Sequence, residues 1–158
     1  MDDLLAHGYE NITVLDVSQT AIDVTKKRLG PAAEVVQWVT ADIVNGEQAP
    51  NAYDVWHDRA VFHFLTTLEQ RVAYVRQVAR AVRPGGHVLV STFGPEGPTK
   101  CSGLDVVRYD AESLHAEFGV RFRCWIASRN CTILRSAQCS SFSVVYVASN
   151  ELIPLADL

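Results

Sequence analysis

The stretch YDVWHDRAVFHFL, residues 53–65, holds the densest set of groups able to do chemistry: His57, Asp58, Arg59 and His63 follow an apolar run. A carboxylate or imidazole there can take a proton from a nucleophile, and a guanidinium can hold an anion. The plainer alternatives are an Asp58–Arg59 ion pair, core aromatics at Trp56, Phe62 and Phe64, and a satisfied core histidine at His63. Two more carboxylates stand upstream. Asp16 ends the run ITVLD, and Asp42 ends EVVQWVTAD 26 residues later. A carboxylate at a strand end can accept hydrogen bonds from a ribose diol, and one on the following strand can accept from an adenine amino group. Each equally suits a turn or a helix cap.

The elements that must position these groups follow from hydrophobic period and punctuation. Residues 2–7 end a helix that stops at Gly8, and 12–16 form a short apolar strand. Ser18 is an N-cap for a helix that stops at Gly30-Pro31. Strands are expected over 34–42 and 52–59. Leu68, Val72, Val75, Val78, Ala79 and Val82 recur at three and four residues, which predicts an amphipathic helix over 67–83. The tetrad RPGG, 83–86, ends that helix, and HVLVSTF, 87–93, is apolar enough for a strand buried on both faces. A long loop, 92–110, then leads to Asp110, which caps a short helix. Strands alternating with helices imply βαβ units and an α/β fold with a mostly parallel sheet covered on both faces. Ligands of such sheets sit at the C-terminal ends of the strands, where Asp16, Asp42 and the 57–59 cluster fall.

Composition narrows the function classes. At 158 residues and 48% hydrophobic content the chain suits one domain with a real core. Its formal net charge of -4 opposes a nucleic-acid partner. No apolar run approaches the roughly 20 residues of a membrane span. Cys101, Cys124, Cys131 and Cys139 fit no common zinc spacing. They read as reduced thiols of a cytoplasmic protein, with no metal site.

Taken together, these segments resemble the class I S-adenosylmethionine-dependent methyltransferases, which have a Rossmann-like sheet. TVLDVSQTAIDVTKKRLG is similar to that family's second strand and following helix, where an acidic residue holds the ribose; this implies Asp16, with Val17 beside it. VQWVTADI resembles the third strand, whose acidic residue and its neighbour contact the adenine; this implies Asp42 and Ile43. YDVWHDRAVFHFL resembles the fourth-strand motif that flanks the methionine part, which implies Asp58 and Arg59 as cofactor contacts. His57, Asp58 and His63 are then the candidates for a general base. RAVRPGGHVLVSTF is similar to the family's helix, RPGG and fifth strand. The resemblance implies methyl transfer from S-adenosyl-L-methionine to a small-molecule acceptor, with the 92–110 loop over that acceptor.

The resemblance covers residues 1 to about 123, expected as a partial methyltransferase domain with 124–158 as a divergent tail. The family's first strand and Gly-rich loop have no counterpart, and no G-x-G occurs. An N-terminal truncation is therefore expected, with cofactor binding weaker than micromolar and poor solubility from exposed ladder edges. Relatives of this type end in a segment like H-x-T-P-x-G-x-x-Q-x-F. A reading frame displaced by one nucleotide near codon 123 is compatible with that segment over 124–142, because Trp125 followed by Ile126 then encodes Asp. Two other functions stay open: a non-catalytic, partner-binding remnant of such a domain, and a nicotinamide-dependent oxidoreductase that holds ribose through Asp16.

Overall fold

The structure is a computed structural model that describes residues 1–128 and 142–150, and the chain divides into two compact units, Met1–Glu47 and Gln48–Leu158.

The first unit contains α1 (Asp2–Ala6), β1 (Ile12–Asp16), α2 (Gln19–Leu29), a 3-10 segment (Gly30–Val35) and β2 (Val36–Thr40). Ser18 caps α2 as expected: its hydroxyl accepts the Ala21 N–H at 3.2 Å. Gly30 ends α2 at a φ of 58°, a conformation that suits glycine. The 3-10 segment takes the first residues expected of the 34–42 strand, so β2 begins at Val36. β1 and β2 pair in parallel with Ile12 opposite Val36 and Asp16 opposite Thr40. Ile22 on α2, Val36 and Ile43 are buried in this unit.

The second unit contains β3 (Tyr53–Arg59), a 3-10 turn (Phe62–Phe64), α3 (Leu68–Ala81), β4 (Val82–Phe93), β5 (Lys100–Cys101), β6 (Leu104–Asp105), α4 (Ala111–Phe118), β7 (Phe122–Ser128) and β8 (Phe142–Asn150). Its main sheet has the order β3-β4-β8-β7. The β3–β4 ladder is parallel, whereas β8 runs antiparallel to both β4 and β7. The α/β architecture is thus the expected Rossmann-like kind, a mixed sheet with helices. β7 runs through residue 123, and most of the segment proposed to be read in another frame lies outside the described residues.

Asp110 caps α4 as expected, and α3 carries a cap that was not anticipated. Thr67 and Gln70 form a capping box on α3, and Asp110 and Ser113 form one on α4. The RPGG tetrad belongs to β4 rather than to a turn before it. Gly85 takes a φ of 77°. A Cβ on Gly86 would lie 2.9 Å from the Asp54 carbonyl oxygen on β3, so only glycine permits this ladder. The 92–110 segment is more ordered than the expected loop. β5 and β6 form a hairpin within it, and Arg108 donates to the carbonyl oxygens of Pro95 and Gly97. Its C-terminal part is tied down by Val107 N–H to His63 O (2.8 Å) and Tyr109 N–H to Phe93 O (2.9 Å).

The core of this unit is aromatic. Phe62 lies 5.1 Å from Tyr74, 5.5 Å from Tyr109 and 5.4 Å from Phe118, centroid to centroid. Asn150, at the end of β8, secures the start of β4. Its amide donates to Val82 O at 2.6 Å, and its carbonyl oxygen accepts from Arg121 Nε at 3.0 Å. Asn150→Ala would take the donor from the buried Val82 carbonyl and one of the acceptors from the Arg121 guanidinium, which keeps Ala79 O. It is expected to cost about 1–3 kcal/mol. Urea unfolding with an unchanged slope and a lowered midpoint would verify this, and an unmoved midpoint would refute it.

Candidate functional site

In the first unit the two candidate carboxylates lie at the same end of a parallel pair. Asp16 is the last residue of β1, and Asp42 follows β2 by two positions. The Ala41 N–H donates to Asp16 O at 3.1 Å, so the two strand ends are stitched together. Asp16 is half-buried and uses one carboxylate oxygen locally, accepting the Ser18 N–H at 2.8 Å. Its other oxygen makes no hydrogen bond among the described residues. The carboxylate is therefore oriented by the α2 N-terminus and still able to accept. Val17 beside it is 74% exposed, an apolar surface next to an acceptor.

Asp42 is more committed. One oxygen accepts the Val44 N–H at 2.9 Å, and the other accepts the Asn45 side-chain amide at 2.6 Å. This is the turn role weighed for it from sequence. An amino group could reach this carboxylate by exchanging with the Asn45 amide, which is exposed. The Ile43 side chain is buried and belongs to the core of the unit.

In the second unit, strand alternation separates the 57–59 cluster. His57 and Arg59 point to one face of β3 and are exposed, whereas Asp58 points to the other and is 4% exposed. Asp58 Oδ1 accepts the Val61 N–H at 2.8 Å, and Oδ2 accepts the Phe62 N–H at 3.0 Å. The Tyr74 hydroxyl donates to Oδ2 at 2.6 Å and itself accepts from Trp56 Nε1 at 3.0 Å. Burial raises the Asp58 pKa, and the Tyr74, Val61 and Phe62 donors pull it back. Burial likewise holds the Tyr74 phenol well above its ordinary value. The Asp58–Arg59 ion pair weighed from sequence does not form.

Ala60, directly after this strand, has a φ of 75°. Such a conformation costs a non-glycine residue of the order of 1–3 kcal/mol and collects at functional strand ends. It lets the chain fold back so that two successive N–H groups reach Asp58. His63 follows in the turn and is fully buried. Its ring stacks on Phe93 at 4.6 Å and lies 4.4 Å from Phe64. Burial lowers its pKa to about 4, so it is neutral at pH 7. Partial desolvation, helped by the Arg59 charge, also lowers His57. Among the described residues no group of three or more His, Cys, Asp or Glu could hold a metal ion, and no helix is long and apolar enough to cross a membrane.

Sequence reading missed Tyr74 as the partner of Asp58. The available signal was a tyrosine, Tyr74, on the helix face that also carries Gln77, Val78 and Ala81, the buried face of α3. A buried tyrosine brings a hydroxyl that needs a partner. Arg71 was missed as well: it lies 2.8 Å from Glu117 of α4 and donates to Thr66 O at 3.2 Å.

Comparison with known proteins bears on the family and the fold. Residues 1–90 match a family profile described as a methyltransferase domain. Among curated proteins nothing matches. A solved S-adenosylmethionine-dependent methyltransferase from Methanosarcina mazei superposes with a TM-score of 0.75 at 13% identity, over 96% of this chain and 86% of that one. The N-methyltransferase NodS from Bradyrhizobium japonicum gives 0.71 at 16% identity, over 96% and 79%. The 1,6-didemethyltoxoflavin-N1-methyltransferase from Burkholderia thailandensis, with bound 1,6-didemethyltoxoflavin and S-adenosylhomocysteine, gives 0.69 at 18% identity, over 96% and 65%. At these identities the likeness is one of fold.

Two measurements probe the site's framework. Tyr74→Phe deletes the hydroxyl between Trp56 and a buried carboxylate, and is expected to cost about 1–3 kcal/mol. A loss under about 0.5 kcal/mol on urea unfolding would show that Asp58 does not depend on it. The second concerns pH. His63 has a folded pKa near 4, below the ordinary histidine value of 6.5, so its contribution is complete above pH 6.5 and falls away as pH drops towards 4. His63→Phe should flatten the acid side of the stability curve between those values. Parallel curves for the two proteins would contradict the assignment.

Proposed function

Because the chain belongs to the methyltransferase-domain family, we propose that it serves methyl transfer from S-adenosylmethionine to a small-molecule acceptor. The observation that carries this is Asp16: a carboxylate at the C-terminal end of a parallel strand, one oxygen oriented by the Ser18 N–H, the other able to accept. That is the acceptor to which the hydroxyls of a vicinal diol can donate. The apolar face of Val17 suits a base lying against it, and Asp42 suits an adenine amino group if the Asn45 amide yields. When bound, the cofactor supplies a methyl group on a sulfonium, already a good leaving group. The residues of the chain therefore mainly bind, orient and exclude water.

A base is needed only where the acceptor arrives protonated. His57 suits that role best, being exposed, and the partial desolvation and Arg59 charge that lower its pKa favour the neutral, proton-accepting imidazole. Asp58 is enclosed by Tyr74 and two backbone donors, so it acts by holding the turn after β3. His63 has no exposed surface through which to touch an acceptor. Arg59, exposed beside His57, suits an anionic group of cofactor or acceptor. The small-molecule class is supported by the 1,6-didemethyltoxoflavin bound in the Burkholderia relative, and a cytoplasmic setting by four cysteines in no metal or secretory pattern.

Calorimetric titration with S-adenosylhomocysteine and with NAD in parallel tests the reading. Saturable binding of the first alone is expected, and Asp16→Asn should weaken it about tenfold by exchanging a charged acceptor for a neutral one. Binding of NAD alone would favour an oxidoreductase, and binding of neither would favour a non-catalytic remnant. The same titration reads whether the affinity is weaker than micromolar.

A further inference from the structure

α3 carries two apolar faces, and the fold buries only one; on the other Val75 and Ala79 are half-buried and Leu68 and Val72 are exposed. Tyr74, Gln77, Val78 and Ala81 are buried. Leu68, Val72, Val75 and Ala79 fall within about 60° of one another on the opposite side, at about 100° per residue. Along this second stripe Leu68 is 60% exposed and Val72 is 57% exposed. A helix apolar on two sides buries both, and an exposed apolar stripe marks a contact surface. Beside it runs a groove of about 650 Å³, bounded across from α3 by Pro50, Glu117, Phe118, Arg121 and Phe122.

The charges along the stripe point to its occupant. Glu69, Arg76 and Arg80 are exposed and share one flank, with the acid near the N-terminal end and the bases near the C-terminal end. A two-fold axis perpendicular to a helix brings each flank against the same flank of the mate, with direction reversed. Two copies of α3 packed antiparallel about Val72 and Val75 would therefore set Glu69 of each against Arg76 and Arg80 of the other. Leu68 and Ala79 would meet across the same seam. In a parallel arrangement these flanks point apart and the match is lost. The surface is thus self-complementary in both apolar pattern and charge, as paired helices require.

We propose that α3 is the interface of a homodimer in which two chains pack antiparallel through the stripe Leu68, Val72, Val75 and Ala79, with reciprocal Glu69 to Arg76 and Arg80 ion pairs. The surface lies on a different helix face from the one that supports Asp58.

Sedimentation equilibrium on the full chain, with circular dichroism as a check on folding, tests this. The expected result is a species of twice the chain mass, converted to monomer by Val72→Glu with unchanged helicity. Glu69→Arg alone should raise the dimer dissociation constant about tenfold or more. The charge-exchanged variant E69R/R76E/R80E should regain dimerisation, because each flank is again complementary. That variant keeps any cost of losing Glu69 from the helix N-terminus, so regained association reports the interface alone. A monomer at all concentrations would overturn the proposal. So would a dimer indifferent to Val72→Glu, or one that Glu69→Arg weakens and the exchange does not restore.

Discussion

A carboxylate taken out of water must be given hydrogen bonds, and in the second unit that requirement falls on Asp58. Leaving a buried acceptor unmatched costs about 1–3 kcal/mol, more if it is charged. Three donors answer it: two N–H groups from the turn after β3 and the Tyr74 hydroxyl from α3. Those partners come from separate elements, so satisfying one carboxylate sets the end of β3, the course of the turn and the seat of α3 together. The positive φ at Ala60 is a consequence: without it the chain could not double back to offer both N–H groups.

Other features of this unit lean on the same arrangement. The turn held by Asp58 delivers Phe62 into the aromatic cluster and His63 against Phe93. The His63 carbonyl then accepts Val107 N–H, which ties down the segment after the β5–β6 hairpin. Asp58 thus organises the strand end at which His57 and Arg59 stand without itself being open to a ligand. The first unit uses a lighter version of this device. Asp16 spends one oxygen on its own turn and keeps one available, whereas Asp42 spends both.

Much of the fold was legible because its signals are local. ITVLD gave a strand with the expected limits, Ser18 and Asp110 capped the helices that follow them, and the three- and four-residue recurrence in α3 showed a helix. Where boundaries moved, a local signal had been overridden. The strand expected from residue 34 begins at Val36 because Gly30-Pro31 starts a 3-10 segment. The RPGG tetrad lies within β4 because Gly86 lets β3 approach closely, a contact no single segment contains.

The sequence by itself determined most of the helices and central strands, the α/β class, the family resemblance and the positions of Asp16, Asp42 and the 57–63 cluster, since propensity, capping and period act over a few residues. Only the tertiary structure decided what each group is free to do. Adjacent residues of a strand face opposite ways, so His57 and Asp58 part company, one towards solvent and one towards Tyr74. Which face is the core side depends on where α3 packs, and Tyr74 stands 16 residues from its partner. The same packing decided which apolar stripe of α3 is covered and which is left for another surface. Burial and hydrogen-bond satisfaction are properties of the assembled neighbourhood, and no window of sequence contains them.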